Sequence, residues 1–353
     1  MKLKKRILVA PLNWGLGHAT RCIPIINALI KNNYIPIIAS DGKALDLIRI
    51  EFPELQHLEL PSYGISYAKK KKNFKIKLIK DSPKVLKAIK AEKKLVKRLY
   101  EDNTIDGIIS DNRLGVYNKN LPSVFLTHQI NVLSGTTTWF SSKLHQNIIK
   151  KFDECWVPDQ RGTPNLSGKL GHSPTFHTNL KYIGPISRFK RQNVPLRNDL
   201  LVLLSGPEPQ RSILEKKLLE ELKGYDKKVV LVKGIIEEKQ VITNSNNLTI
   251  YNYMTSSELE KTINESATVL SRSGYTTIMD LAAIGKAAFF IPTPGQFEQE
   301  YLARILEEQA IVPFSSQEDF KLHHLDRVQT FSGLTSFDYE LNYKKLFRFF
   351  EGK

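Results

Sequence analysis

The sequence alternates short apolar runs with segments of helical periodicity, and this alternation limits the available folds more than any other feature. Six runs in the first half and five in the second have the length of buried strands. The first series lies at 6–11, 35–40, 55–60, 105–110, 123–127 and 154–157, and helical patterns lie at 20–32, 43–50, 83–100 and 137–151. The second series lies at 200–205, 229–232, 248–251, 267–271 and 287–291, and helical patterns lie at 210–222, 256–264, 276–284 and 298–308. Strands that alternate with helices predict parallel, doubly wound sheets.

The 353 residues exceed the usual size of one core, so two series of this kind predict two domains. We expect an N-terminal Rossmann-like domain over 1–183, a linker rich in Gly, Pro and charge over 184–199, and a C-terminal Rossmann-like domain over 200–335. The segment 336–353 carries aromatic residues at helical spacing, which predicts a helix packed back on the domains. The two domains are expected to face an interdomain cleft, because open α/β sheets bind ligands at the carboxyl ends of their strands.

Composition excludes several functional classes. No apolar window is long enough to cross a bilayer, and the first strand is too short for a signal peptide, so a cytoplasmic location is expected. Cys22 and Cys155 lack the spacing of metal ligands, which favours buried structural roles. Neither an Asp-x-Asp triplet nor a close cluster of His, Cys and carboxylates appears in the sequence. We therefore expect neither a metal nor a cofactor.

The net charge of +16 is concentrated in the segment from Lys69 to Arg98, where lysines surround apolar side chains. A basic amphipathic face of this kind suits an anionic membrane surface. Nucleic acid is a weaker candidate, because no nucleic-acid-binding motif accompanies the charge. A solvated lysine-rich face without a partner is the alternative interpretation.

The stretch from Ser271 to Gly285 follows a buried strand and predicts a tight turn that opens a helix. Gly274 is expected to supply permissive backbone at the turn. The first helical N–H groups and the hydroxyls of Ser273, Thr276 and Thr277 would form an anion site suited to a diphosphate. Asp280 shares a helix face with Thr276 and would accept hydrogen bonds from a ribose. An ordinary strand-to-helix connection is the alternative.

A second candidate site follows the first strand, in the loop that contains Asn13, Trp14, Gly15, Gly17 and His18, with Arg21 one turn later. His18 lies at a helix start, where the dipole disfavours imidazolium, so it is expected to be neutral and able to act as a base. Asp111 ends a strand at the same edge and would orient the imidazole. The alternatives are that His18 only caps the helix and that Asp111 only forms a turn.

A dinucleotide-binding fold competes with this interpretation. Gly15 and Gly17 are followed by Asp41 at the end of the second strand, near the spacing of a ribose-binding acid. Thr20 occupies the place of the third glycine, which disfavours a nicotinamide or flavin enzyme.

With both sites identified, the chain resembles the two-domain GT-B glycosyltransferases, specifically the family 28 enzymes that include the peptidoglycan N-acetylglucosaminyltransferase. The resemblance is strongest over 248–306, through Arg272, Ser273, Gly274, Asp280 and the pair Glu298-Gln299. It implies an N-terminal domain for the acceptor and a C-terminal domain for a nucleotide-sugar donor. The implied donor contacts are Arg188, Ser205, Gly206, Tyr251, Asn252, Arg272, Ser273, Gly274, Tyr275, Thr276, Asp280, Glu298 and Gln299, and the implied acceptor loop contains Asn13, Trp14, Gly15, Gly17 and Arg21.

Two departures from the family pattern leave the reaction open. The ribose-binding acid of the family is usually Glu, whereas this chain has the shorter Asp280. The loop from Asn13 to Arg21 looks more like the G-x-G-H-x-x-R element of the nucleotide-sugar hydrolases of pseudaminic acid synthesis. Transfer of the sugar to an alcohol and hydrolysis of the nucleotide sugar by water are therefore both kept as hypotheses. A non-catalytic nucleotide-sugar sensor is a third hypothesis.

The interpretation that we adopt is an inverting, metal-independent transferase that uses a UDP-hexose, UDP-N-acetylglucosamine or a relative. His18 would deprotonate the acceptor, and the helix end at 273–276 would stabilise the departing diphosphate. The acceptor is unidentified, and a lipid-linked glycan is one candidate. We expect a cytoplasmic protein that is peripheral on the inner face of the membrane.

Overall fold

The computed structural model describes residues 4–64, 74–176, 179–334 and 341–352, with the backbone alone at 74–82 and 136. The chain divides into two compact units. The first unit runs to Ile186 and includes the residues from 341 onward, and the second unit begins at Ser187. This break falls inside the predicted linker 184–199.

The first unit is built on a seven-stranded parallel sheet with strand order β3-β2-β1-β4-β5-β6-β7. Its strands are β1 (Arg6–Pro11), β2 (Ile35–Ser40), β3 (Gln56–Glu59), β4 (Gly107–Asp111), β5 (Ser123–Leu126), β6 (Glu154–Val157) and β7 (Leu180–Tyr182). Its helices are α1 (Gly17–Lys31), α2 (Gly42–Glu51), α3 (Phe74–Glu101), α4 (Thr138–Ile149) and, from the chain's end, α9 (Tyr343–Phe347).

Burial explains why the apolar runs form central strands. Every residue of β4 and β5 is buried, as expected of parallel strands covered by helices on both faces. On one face, α1, α2 and α9 pack over a core that includes Ile7, Val9 and Trp156. The short helix α9 contributes Leu346 and Phe347, and Phe350 follows it in a 3₁₀ turn. The last described residues therefore complete the core of the first unit.

The second unit has a six-stranded sheet with order β10-β11-β9-β8-β12-β13, parallel except for β10. Its strands are β8 (Asn198–Leu203), β9 (Val229–Val232), β10 (Ile242–Ser245), β11 (Leu248–Tyr251), β12 (Ser266–Ser271) and β13 (Ala287–Phe290). Its helices are α5 (Gln210–Glu221), α6 (Ser256–Asn264), α7 (Tyr275–Ile284) and α8 (Phe297–Glu308). The predicted fold class, two doubly wound α/β domains, is confirmed.

Both sheets reverse their strand order at a defined point, where open α/β sheets bind ligands. In the first unit this point lies between β1 and β4, with Pro11 paired to Asp111 at the carboxyl edge. In the second unit it lies between β8 and β12, with Leu203 paired to Ser271. Four candidate site residues lie at or just after the carboxyl ends of these strands: His18 at the start of α1, Asp111 at the end of β4, Gly206 after β8 and Gly274 after β12.

Two edge strands escape the sequence patterns. All four residues of β10 are exposed and mostly polar, and the strand pairs antiparallel to β11, so it has no apolar signal. The three residues of β7 are only half-buried. The C-terminal helix predicted over 336–353 runs from Tyr343 to Phe347 and continues as the 3₁₀ turn Arg348–Glu351, and residues 336–340 and 353 of that prediction lie outside the described residues.

Part of the basic segment predicted from Lys69 to Arg98 lies outside the described residues, namely 69–73. The remainder lies on α3, whose exposed residues from 84 onward include Lys84, Lys87, Lys90, Lys93, Lys94, Lys97 and Arg98. Among the residues that the structure describes, none of the helices combines the length and apolarity needed to span a bilayer.

Candidate functional site

His18 is the second residue of α1, and its side chain meets Asp111 at the end of β4. The imidazole Nδ1 lies 2.9 Å from Asp111 Oδ1. The Asp111 carboxylate is fully buried, whereas the His18 side chain keeps 15% of its surface exposed. The pairing of a base with an orienting carboxylate, predicted from two distant positions in the sequence, is therefore present in the geometry. Its catalytic role stays a prediction.

Arg21 joins this pair one turn along α1. Its Nε donates to Asp111 Oδ2 at 2.6 Å, and its Nη2 contacts the other carboxylate oxygen, so the ion pair is bidentate. Nη2 also lies 2.8 Å from His18 Nδ1, and Nη1 lies 2.9 Å from Nδ1 of His128. Arg21 was predicted to lie in an acceptor loop, but it is buried and contacts three side chains of the cluster.

The electrostatics of the cluster follow from burial and charge. Burial lowers the pKa of His18 below 6.5, Asp111 acts in the opposite direction, and Arg21 lowers the pKa further. Burial alone would raise the pKa of Asp111, but Arg21 and His18 hold it at about 2. The carboxylate is therefore charged at neutral pH, and the imidazole is mostly neutral.

Asn13 and Trp14 lie in the loop between β1 and α1. The Asn13 amide donates to Asp41 Oδ2 at 3.1 Å, which ties the loop to the start of α2. Trp14 has 37% of its surface exposed. Gly15 has a φ of +78° and no heavy atom within 4 Å of the position that a Cβ would take, so the conformation, not space, favours glycine there. Gly17 is the first residue of α1.

Asp41 is committed to a second buried network. It pairs with Arg113, whose Nη1 also contacts Glu92 Oε1 at 3.1 Å, and the Tyr63 hydroxyl donates to Glu92 Oε2 at 2.9 Å. Since these contacts occupy the Asp41 carboxylate, the structure gives no support to its reading as a dinucleotide ribose ligand. The network fastens α3, through Glu92, to the carboxyl edge of the sheet.

In the second unit, the turn from Ser271 to Gly274 leads from β12 into α7. Gly274 is the N-cap of α7 and brings no side chain to cap it. Its φ is −72°, which any residue adopts, so the expected need for permissive backbone is wrong. A Cβ at this position would meet only Thr277 Oγ1, at 3.9 Å. Glycine therefore leaves the helix start uncovered by a side chain of its own. Tyr275 is buried and Thr276 half-buried in the first turn.

Arg272 and Ser273 are directed into the protein, in contrast to the donor contacts predicted for them. Arg272 is fully buried and donates to the carbonyls of Ile291, Pro292 and Gln210 and to Gln317 Oε1. Burial lowers its pKa to about 9. The Ser273 hydroxyl donates to the Gln299 carbonyl at 2.8 Å. The Ser273 hydroxyl and both terminal nitrogens of Arg272 thus brace the strand ends around α7, whereas Arg272 Nε has no hydrogen-bond partner.

Asp280 lies on the buried face of α7 and holds the start of the second unit. Ser187 Oγ donates to its Oδ1 at 2.7 Å, and Arg188 Nε lies 4.0 Å from Oδ2. Burial raises the pKa of Asp280 to about 6, with Arg188 and Ser187 opposing that shift. Arg188 also donates to Ser256 Oγ at 2.9 Å. The structure thus brings Arg188 and Asp280 together, as expected if both contact the same nucleotide-sugar donor.

The remaining predicted donor residues lie along the same edge of the sheet. Ser205 and Gly206 form an exposed loop after β8, and Gly206 has a φ of +100°. Glu298 and Gln299 are in the first turn of α8, and the Gln299 side chain accepts from the Thr293 N–H at 2.8 Å.

Tyr251 and Asn252 lie at the end of β11, two strands from β8. The Asn252 amide is engaged with Glu237, the Lys239 carbonyl and the Val241 N–H. The Asn252 side chain therefore shapes the loop after β11, and these contacts already use both its amide nitrogen and its amide oxygen.

His128 and Thr293 are site residues that the sequence analysis missed. His128 is buried two residues after β5 and contacts Arg21. Thr293 is buried after β13, and its hydroxyl has no hydrogen-bond partner. Their position just past a predicted strand, at the edge that carries the other site residues, was the available signal. Among the described residues, no group of three His, Cys, Asp or Glu side chains could hold a metal ion.

Comparison with known proteins shows which enzyme family this chain resembles. Residues 210–330 match the glycosyltransferase family 28 C-terminal domain. The chain is thus similar to the family 28 glycosyltransferases and has the GT-B fold. The resemblance and the enzyme class predicted from the sequence are confirmed at this level.

Two curated relatives carry the same name, UDP-N-acetylglucosamine--N-acetylmuramyl-(pentapeptide) pyrophosphoryl-undecaprenol N-acetylglucosamine transferase. The one from Buchnera aphidicola subsp. Schizaphis graminum is 26% identical over 56% of this chain, and the match spans about half, 53%, of that relative's length. The one from Buchnera aphidicola subsp. Acyrthosiphon pisum is 24% identical over 69% of this chain and 68% of its own length.

Solved structures share the fold at low identity. The calicheamicin glycosyltransferase CalG4 superposes with a TM-score of 0.63 at 12% identity, over 99% of this chain and 94% of its own. MurG of Acinetobacter baumannii superposes with a TM-score of 0.53 at 14% identity, over 93% of this chain and 90% of its own.

Proposed function

We propose that this protein transfers a hexose from a UDP-sugar to the hydroxyl group of an acceptor, with inversion at the anomeric carbon and without a metal ion. The observation that carries the proposal is the contact between His18 Nδ1 and Asp111 Oδ1 at 2.9 Å, at the switch point of the first sheet. Family 28 similarity over 210–330 supports the choice of a nucleotide-sugar donor.

The proposed reaction is a single displacement. His18 Nε2 takes the proton of the acceptor hydroxyl, and the resulting oxygen forms a bond to the anomeric carbon. The bond from that carbon to the diphosphate oxygen breaks, and UDP leaves with the electron pair. Attack on the face opposite the leaving group inverts the configuration. Asp111 stabilises the imidazolium that forms, and it can do so because its carboxylate is charged at neutral pH.

The donor is proposed to bind at the carboxyl edge of the second sheet. Main-chain N–H groups at the start of α7, together with the helix dipole, would stabilise the diphosphate as it leaves. Asp280 would bind the ribose, with Arg188 nearby. Since Ser273 and Arg272 make internal hydrogen bonds, the backbone of the turn is the better candidate for the phosphate contacts.

UDP-N-acetylglucosamine or a related UDP-hexose is the proposed donor, and a lipid-linked glycan is the proposed acceptor. Two named relatives are transferases of N-acetylglucosamine to an undecaprenol-linked compound, which favours this pair. We accordingly propose a cytoplasmic location, peripheral on the inner face of the membrane.

Two surfaces of the first unit support attachment to an anionic membrane. One is the lysine-rich outer side of α3. The other is the outer face of α4, where Trp139, Phe140 and Leu144 are 75%, 65% and 56% exposed and Lys143 lies among them. No acidic residue occurs in α4. Aromatic side chains with interspersed lysines suit the headgroup region of a bilayer.

The experiment that tests the function combines binding with turnover. Calorimetry of the full chain against UDP, GDP and dTDP sugars identifies the donor, and tightest binding of a UDP-hexose is expected. The same donor with labelled sugar is then assayed with and without a polyprenyl-linked acceptor. Sugar transferred to the acceptor supports the transferase. Release of free sugar at the same rate without acceptor would assign a hydrolase, and binding without turnover would assign a sensor.

The hydrolase is retained as second candidate because of the loop from Asn13 to Arg21, which contains the G-x-G-H-x-x-R pattern. In that reaction water replaces the acceptor hydroxyl and His18 keeps the same role.

A further inference from the structure

Arg21 is the centre of a buried cluster that contains two histidines in addition to the ion pair with Asp111. Two of its nitrogens engage Asp111, and the same guanidinium reaches Nδ1 of two different imidazoles, at 2.8 Å on His18 and 2.9 Å on His128. Arg21, Asp111 and His128 are 2%, 0% and 4% exposed. A cation inserted between a proposed base and a second histidine must affect where their protons lie.

The contact with His128 fixes the protonation of that ring. A guanidinium has donors only and no acceptor. The Nδ1 atom of His128 must therefore present a lone pair to Arg21 Nη1, which places the ring proton on Nε2. An imidazolium at this position would direct an N–H at another N–H. His128 is accordingly a neutral ring held in its Nε2–H form.

His18 Nδ1 has two neighbours with opposite requirements. Asp111 Oδ1, at 2.9 Å, accepts a proton from Nδ1–H, and this form leaves a lone pair on Nε2, as a base requires. Arg21 Nη2, at 2.8 Å, donates to an unprotonated Nδ1, and this form puts the proton on Nε2, where the ring cannot act as a base. The balance between Asp111 and Arg21 therefore sets the fraction of His18 that is competent.

The charges around His18 nearly cancel. Asp111 from β4 is negative and Arg21 from α1 is positive, whereas His128 after β5 is neutral by the argument above. The Cys22 thiol lies 3.6 Å from Asp111 Oδ2, and burial holds its pKa well above the usual value, so it adds no charge. If Arg21 were absent, burial would still lower the pKa of His18, but the attraction of Asp111 for a proton would no longer be offset by a neighbouring cation, so a larger fraction of His18 would be imidazolium.

We propose that Arg21 is a positioning residue that keeps His18 neutral and sets the balance between its two tautomers, with His128 fixed as the second acceptor of its guanidinium. The proposal rests on the proposed function for the role of His18 as a base. A purely structural Arg21, which only fastens α1 to β4, would alter stability but would move neither the titration of His18 nor its tautomer.

The test is nuclear magnetic resonance of the full chain with ¹⁵N-labelled histidine, because ring nitrogen shifts distinguish the tautomers and the cation. In the unaltered protein, His128 is expected as the neutral Nε2–H form at pH 7.5. In Arg21→Gln, which removes the charge but keeps an amide donor, the titration of His18 is expected to move up by about one pH unit. The acid limb of kcat/KM against pH should move by the same amount.

The matched control is Arg6→Gln, which breaks the ion pair between Arg6 and Asp106 at the partly exposed end of the same sheet. It should leave the His18 titration unchanged. Arg21→Lys, which keeps the charge, should restore the original titration of His18 while kcat stays reduced, because a single ammonium cannot hold both carboxylate oxygens in the same way.

Two kinds of result, one from the Arg21→Gln variant and one from the unaltered protein, would overturn the proposal. One is an unchanged His18 titration in Arg21→Gln, or a rate loss of equal size at every pH. The other is a proton on Nδ1 of His128 in the unaltered protein, a measurement that needs no variant to fold. Neither titration requires a sugar donor, so the absence of UDP-sugar turnover would refute the proposed function and leave the role of Arg21 standing.

Discussion

Ser187, the first residue of the second unit, donates a hydrogen bond of 2.7 Å to Asp280 on α7. The carboxylate that is proposed to bind ribose is therefore already bound to the chain segment that opens the unit. Donor binding must share or replace this contact, and protonation of Asp280 would turn one carboxylate oxygen into a donor and weaken the acceptance of ribose hydroxyls.

Affinity for UDP should therefore depend on pH through Asp280. Because burial raises the pKa of this carboxyl to about 6, lowering the pH through that value should protonate it and weaken UDP binding. Asp280→Ala should cost about 1 to 3 kcal/mol of binding free energy at pH 8, measured by calorimetry.

Asp280→Asn should abolish this pH dependence, and Ser187→Ala should move its midpoint to higher pH, since the Ser187 hydrogen bond favours the charged carboxylate. A UDP affinity that is flat from pH 5 to pH 8 in the unaltered protein would contradict a ribose contact by Asp280.

His18→Ala should abolish turnover and change the Kd for UDP by no more than about twofold, because His18 belongs to the first unit and UDP is proposed to bind the second. Steady-state rates check the loss of turnover, and calorimetry on the same preparation checks the Kd for UDP. In the unaltered enzyme the rate should fall only below pH 6.5, since the pKa of His18 is lower than that value. Equal losses of rate and UDP affinity would argue against this division of roles.

Arg272→Ala should destabilise the second unit by about 3 kcal/mol or more, because it leaves several buried acceptors without their donor. Far-ultraviolet circular dichroism during thermal unfolding measures the loss; all three tryptophans precede this unit in the chain. Arg197→Ala, at an exposed ion pair with Glu265, is the control and should change stability by less than about 1 kcal/mol. Loss of UDP affinity at unchanged stability would restore Arg272 as a ligand contact.

The double change Trp139→Ser with Phe140→Ser should weaken binding to vesicles that contain phosphatidylglycerol by at least about tenfold, since burying each large apolar side chain contributes roughly 1.5–3 kcal/mol. Flotation compares these vesicles with pure phosphatidylcholine, where binding of the unaltered protein should be weak. Ile213→Ser on α5, 48% exposed, serves as control. Equal binding by all three proteins would exclude α4 as the membrane contact.

Phe350→Ala should cost the first unit about 3 to 5 kcal/mol, because the ring is fully buried against Trp156 and Tyr34. Tryptophan fluorescence during urea unfolding reports the effect. Gly107→Ala should also be destabilising, since its Cβ would lie 2.6 Å from Phe350 Cδ1. Phe140→Ala, on the exposed side of α4, should change stability by less than about 0.5 kcal/mol. A small effect at Phe350 would mean that α9 is dispensable to the core.

The sequence predicted the central strands and the edge strands β3 and β13, but it missed the edge strands β7 and β10, for a physical reason. Strands such as β4 and β5 are buried on both faces and read as unbroken apolar runs, whereas β10 is exposed along its whole length and carries no such signal. Helix α3 begins earlier than predicted, at Phe74, and contains Pro83, the residue at which the predicted helix began.

At the sites, the sequence located residues and one pair of partners, but not the remaining contacts. The pairing of His18 with Asp111 followed from two strand ends at one edge of a sheet. Spacing along the chain does not determine side-chain directions. The sequence therefore did not predict that Arg21 contacts His18, Asp111 and His128. For the same reason it did not predict that Ser273 and Arg272 point inward.

The return of α9 to the first unit has a consequence for biosynthesis. The part of the second unit that begins at Ser187 is an insertion between Ile186 and the segment that supplies Leu346, Phe347 and Phe350. On the ribosome, the half that is translated first cannot close its hydrophobic interior until the other half has emerged. The earlier-made domain is thus the later one to mature, and during that interval its open apolar face is where a chaperone would be needed.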